Sequence, residues 1–225
     1  MPNIATPKLV AIKKSYHYHS SCYKQCMVFR NGNLRLYNDD DDFINLNVLQ
    51  SGGTFSNTKT YARTTADPGL IQRAMDQINE GFPNTFCSAS SPTQLIIATW
   101  IDYLKAGLNQ GSNFQAIIAT NGNNTFGIAL YVDVSITSAT TGIGSYVNDV
   151  DVPSDPSFFP FNTTVMDAPT MMLNSNIPGT YIFSLNAIPP DPCSSVCYSC
   201  KPRLVQLACE AMRINGEDVP ASCNN

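Results

Sequence analysis

Residues 61–131, YARTTADPGLIQRAMDQINEGFPNTFCSASSPTQLIIATWIDYLKAGLNQGSNFQAIIATNGNNTFGIALY, decide the fold. The first five read as a strand, Tyr61-Ala62-Arg63-Thr64-Thr65. A helix follows: Asp67 caps its free amides and Pro68 suits its first turn. Leu70, Ile71, Ala74 and Ile78 fall on one helical face. Gly81 supplies a stop, because a residue without Cβ takes the left-handed conformation that ends many helices. After Pro92, the run Leu95-Ile96-Ile97-Ala98-Thr99-Trp100-Ile101 is short, apolar and β-branched, which predicts a buried strand. Residues 113–120 and 125–132 flank Asn121-Gly122, the strongest short-range hairpin signal.

Working outward, the Gly-, Ser- and Thr-rich residues 51–60 predict a loop, and no repeat or low-complexity tract is visible. Met27 to Tyr37 alternates around Asn31-Gly32 and predicts a second hairpin. Between Ser135 and Pro160 the apolar pattern is weak, so irregular loops with short strands are expected, then a strand or edge near Thr170 to Leu173. Residues 178–188 close the sheet, and Pro189 onward is a cysteine-rich tail. The division is therefore 1–50, an N-terminal strand and hairpin segment joined to the core; 51–188, the main domain; and 189–225, a C-terminal extension. The fold class is mainly β (α+β): two packed sheets, sandwich-like, with one principal helix over 68–80 laid against them.

These pieces, in this order, resemble the nidogen-like extracellular domain found in nidogens, tectorins and some large membrane mucins. The resemblance is carried by Tyr61 to Thr65, the helix from Asp67 to Phe82, Ala98-Thr99-Trp100, Asn113 to Gly122, and Ser175 to Phe183 as a closing strand. It covers roughly residues 43–188 and departs from the family pattern in two places. The usual aromatic-rich Phe-Trp-x-Asp strand is replaced by Ile44-Asn45-Leu46-Asn47-Val48, and a Trp expected after the hairpin is Ile136 or a neighbour. The resemblance implies an adhesive or assembly module of the extracellular space.

Composition narrows the function classes. Only 13% of residues are charged while 43% are hydrophobic, which suits a folded chain solvated by neutral polar groups. A net charge of −4 argues against nucleic acid, which asks for a basic face. No apolar run is long enough to cross a bilayer as a helix, so membrane insertion is not expected. Residues 1–8 lack the apolar core of a signal peptide, and a mature or excised piece of a secreted precursor is expected.

Eight cysteines, Cys22, Cys26, Cys87, Cys193, Cys197, Cys200, Cys209 and Cys223, favour an oxidising compartment and disulfides. Spacing leaves the connectivity open: Cys22 and Cys26 could bridge each other, or reach Cys87 or the tail. Cys197-x2-Cys200 has zinc-like spacing, but no second tight pair accompanies it. The two histidines, His17 and His19, lack a third ligand in sequence, and no nucleophile elbow, Walker loop or dinucleotide fingerprint occurs. Catalysis is not expected. The acidic run 39–42 is expected to be a solvated turn, because four consecutive residues cannot all point inward; the alternative is a calcium site with Asp39 and Asp41 as candidate ligands. Asn123 and Asn162 head sequons in a predicted turn and a Pro-flanked loop, candidates for N-linked glycans. Trp100, Phe114, Phe126 and Tyr131 could form a carbohydrate platform, but their alternation along strands predicts core.

The expectation is a secreted structural or adhesion module that binds other extracellular proteins or copies of itself. The alternative is a glycan- or calcium-binding module of a cell-surface receptor or mucin-like protein. No cofactor is expected beyond that candidate calcium.

Overall fold

The computed structural model describes residues 8–18, 21–52, 55–56, 58–83, 85–86, 91–105, 107–122, 124–156 and 164–186. The described chain is mainly β, with two antiparallel sheets and one α-helix. The first sheet has the order β1 (Lys8–Tyr18), β2 (Ser21–Val28), β3 (Asn33–Tyr37), β4 (Phe43–Gln50), β10 (Thr140–Val147), β11 (Val150–Asp155). In the second, β12 (Thr180–Ser184), β9 (Thr125–Asp133), β8 (Ser112–Thr120) and β7 (Gln94–Lys105) lie side by side. Both β5 (Phe55–Ser56) and β6 (Lys59–Thr65) pair with β7.

Alternation sorts the second sheet between two cores. Ile96, Ala98 and Trp100 of β7, with Phe114, Ala116 and Ile118 of β8, face the first sheet. Leu95, Ile97, Phe126, Ile128 and Ile182 face the helix α1 (Pro68–Gly81). Over Leu95 to Ala98 the strand is covered on both faces and has no polar side, which is why it reads as an apolar run. From the first sheet, Val28, Leu34, Leu36, Ile44, Leu46 and Val48 close the inter-sheet core, so residues well before 51 share it with the rest of the chain.

The helix starts as its sequence dictates: the Asp67 side chain accepts from Leu70 N at 2.9 Å, with Pro68 behind it. Ala74 and Ile78 are buried, and Leu70 and Ile71 pack partly buried against the same cluster. Its end differs from expectation. Gly81 is helical, and a Cβ there would lie 2.3 Å from Asn174 Cβ, so glycine serves the close approach of another segment. Both Asn-Gly hairpins form, with Gly32 and Gly122 at φ 88° and 99°. The second is a four-residue loop, since Thr120 pairs with Thr125.

Three expectations are corrected. Residues 140–155 form a long hairpin, and β10 sits inside the first sheet between β4 and β11. Its two-residue turn, Asn148-Asp149, has φ 51° and 62°, values that twist correctly into paired strands. Residues 51–60, expected to be a loop, contain β5 and the start of β6. Near Thr170 to Leu173 the expected strand or edge is reduced to a single bridge, Leu173 to Tyr181, alongside β12.

Polar handles on aromatic side chains tie the two sheets. Trp100 is fully buried and its Nε1 donates to Phe29 O at 2.8 Å. Tyr103 donates to Asn31 O at 2.8 Å, and Tyr131 donates to Val48 O. The rings stack across the second sheet: Trp100 on Phe114 at 4.9 Å, Phe114 on Tyr131 at 6.2 Å, and Tyr131 edge-on to Tyr181 at 5.4 Å. Trp100, Phe114, Phe126 and Tyr131 are therefore core, and their carbohydrate-platform reading falls away.

Candidate functional site

The acidic run at 39–42 is a structured turn. Asn38 Oδ1 accepts from the amides of Asp40 and Asp42, each at 2.9 Å, and Asp41 takes φ 63°. Asp39 pairs with Lys24. Asp42 turns inward, accepting from Asn38 Nδ2 at 3.0 Å and from Asn148 N at 2.9 Å. One carboxylate thus clamps the β10–β11 turn while Asp39 and Asp41 remain exposed. No group of three or more His, Cys, Asp or Glu converges among the described residues.

Cys26 is a free, fully buried thiol in β2, and burial pushes its pKa up to about 12. A disulfide was expected at Cys26; here it stands as a free thiol. A local Cys22–Cys26 bridge also fails on reach, because four residues of strand span about 13 Å and a disulfide closes Cα atoms within about 7 Å. Cys87 and the tail cysteines 193, 197, 200, 209 and 223 lie outside the described residues, as do Asn123, Asn162 and His19. His17 lies in β1, in register with Cys22 of β2.

Two surfaces remain that sequence reasoning missed. One is the edge strand β11, which ends the first sheet and exposes Val150 at 58% and Val152 at 50%. By sequence, contact edges are expected at residues 125–134 or in the N-terminal segment; β9 is hydrogen-bonded on both sides, to β8 and β12, whereas β1 of the N-terminal segment does end the first sheet opposite β11. The other is the outward face of β3, β4 and β10, which carries Arg35, Phe43, Asn45, Asn47 and Tyr146. The signal for that face was the alternation of polar residues 33, 35, 45 and 47 with buried Leu34, Leu36, Ile44 and Leu46.

Among the described residues the chain is an antiparallel sandwich with one α-helix on one outer face and a polar groove on the other. The chain belongs to the nidogen-like domain family, whose model matches residues 46–187. It is 29% identical to Nidogen-1 of Rattus norvegicus over 89 residues, covering 36% of this chain and 26% of that protein. It is 24% identical to Alpha-tectorin of Mus musculus over 147 residues, 59% of this chain and 7% of that protein. The chain thus spans about a quarter or less of the length of these relatives. No solved structure matches it significantly. Among the described residues, no helix is long and apolar enough to cross a membrane.

Proposed function

We propose that this chain is an extracellular structural module that assembles by protein–protein contact, first of all with copies of itself, in a matrix, coat or filament. Membership of the nidogen-like family supports the compartment and the class. The observation that carries the mode of contact is the edge of β11, which pairs with no further strand among the described residues and has two valines exposed on it. A strand edge offers a row of backbone donors and acceptors, so a second chain adds by main-chain pairing, with apolar side chains giving extra area. Pro153 interrupts the row and limits pairing to the Val150 end. Low charge suits subunits that pack closely without mutual repulsion. Cysteines of the tail would cross-link neighbours once they are assembled, and the module performs no catalysis.

Sedimentation velocity of the secreted chain, with and without reductant, tests this reading. Concentration-dependent multimers are expected, held more firmly before reduction and weakened by the Val150→Asp, Val152→Asp double variant. A strict monomer at the highest concentration reached would refute it.

A further inference from the structure

The outer face of the first sheet carries a groove of about 420 Å³, whose lining includes Arg35, Phe43, Asn45, Tyr146, Asp151 and Ser154. Two glycines of β10 make it concave. A Cβ on Gly142 would lie 2.0 Å from Asp155 O, and one on Gly144 would lie 2.8 Å from Val152 O. Without those carbons, the end of β11 folds over β10 and forms a wall. Asn47 Nδ2, donating to Ser154 Oγ at 2.6 Å, pins that wall in place.

The opposite wall is a stack. The Arg35 guanidinium lies 4.4 Å from the Phe43 centroid, and Tyr146 stacks on the other side of Phe43 at 5.5 Å and 18°. Tyr146 is held further by its hydroxyl, which donates to Asp149 Oδ1 at 2.9 Å. Asn45 Oδ1 is occupied by Asn33 Nδ2 at 2.8 Å and Arg35 Nε at 3.4 Å. This leaves Asn45 Nδ2 and the terminal guanidinium nitrogens of Arg35 as donors with no partner among the described residues. The Asp151 carboxylate, exposed at the rim, is an acceptor likewise without a partner there.

We infer that this groove binds a neutral pyranose sugar. Planar amide, guanidinium and carboxylate groups beside a fixed aromatic ring match a ligand with hydroxyls around its rim and C–H groups on its face. One cation and one carboxylate cancel, so neither an anionic nor a cationic ligand is favoured. The groove adjoins the β11 edge and shares Val152 with it, but its sugar-facing groups, Arg35, Asn45 and Tyr146, lie on β3, β4 and β10, so sugar binding and assembly are read by different variants.

Amide NMR titration of the full chain with lactose, cellobiose and N,N′-diacetylchitobiose tests it, with a heparin disaccharide and a peptide of mixed sequence run alongside. Saturable shifts confined to residues 43–47 and 144–154 are expected with at least one neutral sugar. Tyr146→Ala and Asp151→Ala should each weaken binding about ten-fold, the loss expected for one or two ligand contacts. Both residues lie on the outer face, and Asp151→Ala keeps the test open if Tyr146→Ala misfolds. The remote Val132→Ser should bind as wild type. Absence of saturable shifts with all three sugars, shifts elsewhere on the chain, or binding of the heparin disaccharide or peptide alone would overturn it.

Discussion

Replacing Trp100 by Phe probes the join between the sheets. The indole spans the inter-sheet core, stacks on Phe114, and donates to Phe29 O in the β2–β3 turn. A phenyl ring keeps the stack but loses the donor, and withdrawing one partner of a buried hydrogen bond costs about 1–3 kcal/mol. The smaller ring leaves roughly 30 Å³, worth about 0.7 kcal/mol at 24 cal/mol per Å³ of cavity. The sum is about 2–4 kcal/mol, or about 4–16 °C in Tm for a chain of this size. Urea unfolding followed by circular dichroism reads it directly, with the denaturant slope expected to stay unchanged. Val132→Ser, at a 73% exposed site, serves as a near-neutral control. A Trp100→Phe midpoint indistinguishable from wild type would refute the idea that aromatic donors fasten one sheet to the other.

Two further predictions follow from buried groups. Below pH 9 the Cys26 thiol is protonated in both native and unfolded chains. Above its ordinary value of 9.0 the unfolded thiol ionises while the native one, raised to about 12, does not. Stability should therefore fall as pH rises from 9, by about 1.4 kcal/mol per pH unit. Burial also raises Tyr103, Tyr131 and Tyr181, which steepens the loss above pH 10. In Cys26→Ala the decline between pH 9 and 10 should flatten, and an unchanged slope in urea midpoints would contradict the assignment. Asp42→Ala frees Asn148 N and should cost about 1–3 kcal/mol. Hydrogen exchange should report this as faster opening of 144–152, whereas equal loosening across both sheets would argue against a local clamp.

Much of the second sheet was legible because its strands are buried on both faces and its hairpin carries Asn-Gly. The helix was legible because cap, proline and periodicity agree at 67–78. The hairpin 140–155 was not. Its core face contributes only Ile143, its outer face has glycine at both Gly142 and Gly144, and its turn is Asn-Asp, which reaches left-handed angles without the usual glycine. Gly142 and Gly144 look like loop residues, yet each marks where another backbone presses on the sheet. Missing β10 concealed both the open edge and the groove. The acidic run drew attention as a metal site because sequence shows four carboxylates but not which way they point. Only Asp42 turns in, toward an amide 106 positions away.

A photoreactive amino acid placed at position 150 tests the proposed contact where it should occur. Irradiation of the assembled protein is predicted to give an adduct between two copies that maps to a strand segment, with no such adduct from the same probe at the exposed position 108. Adducts confined to one chain, or equal yields at both positions, would contradict assembly through β11.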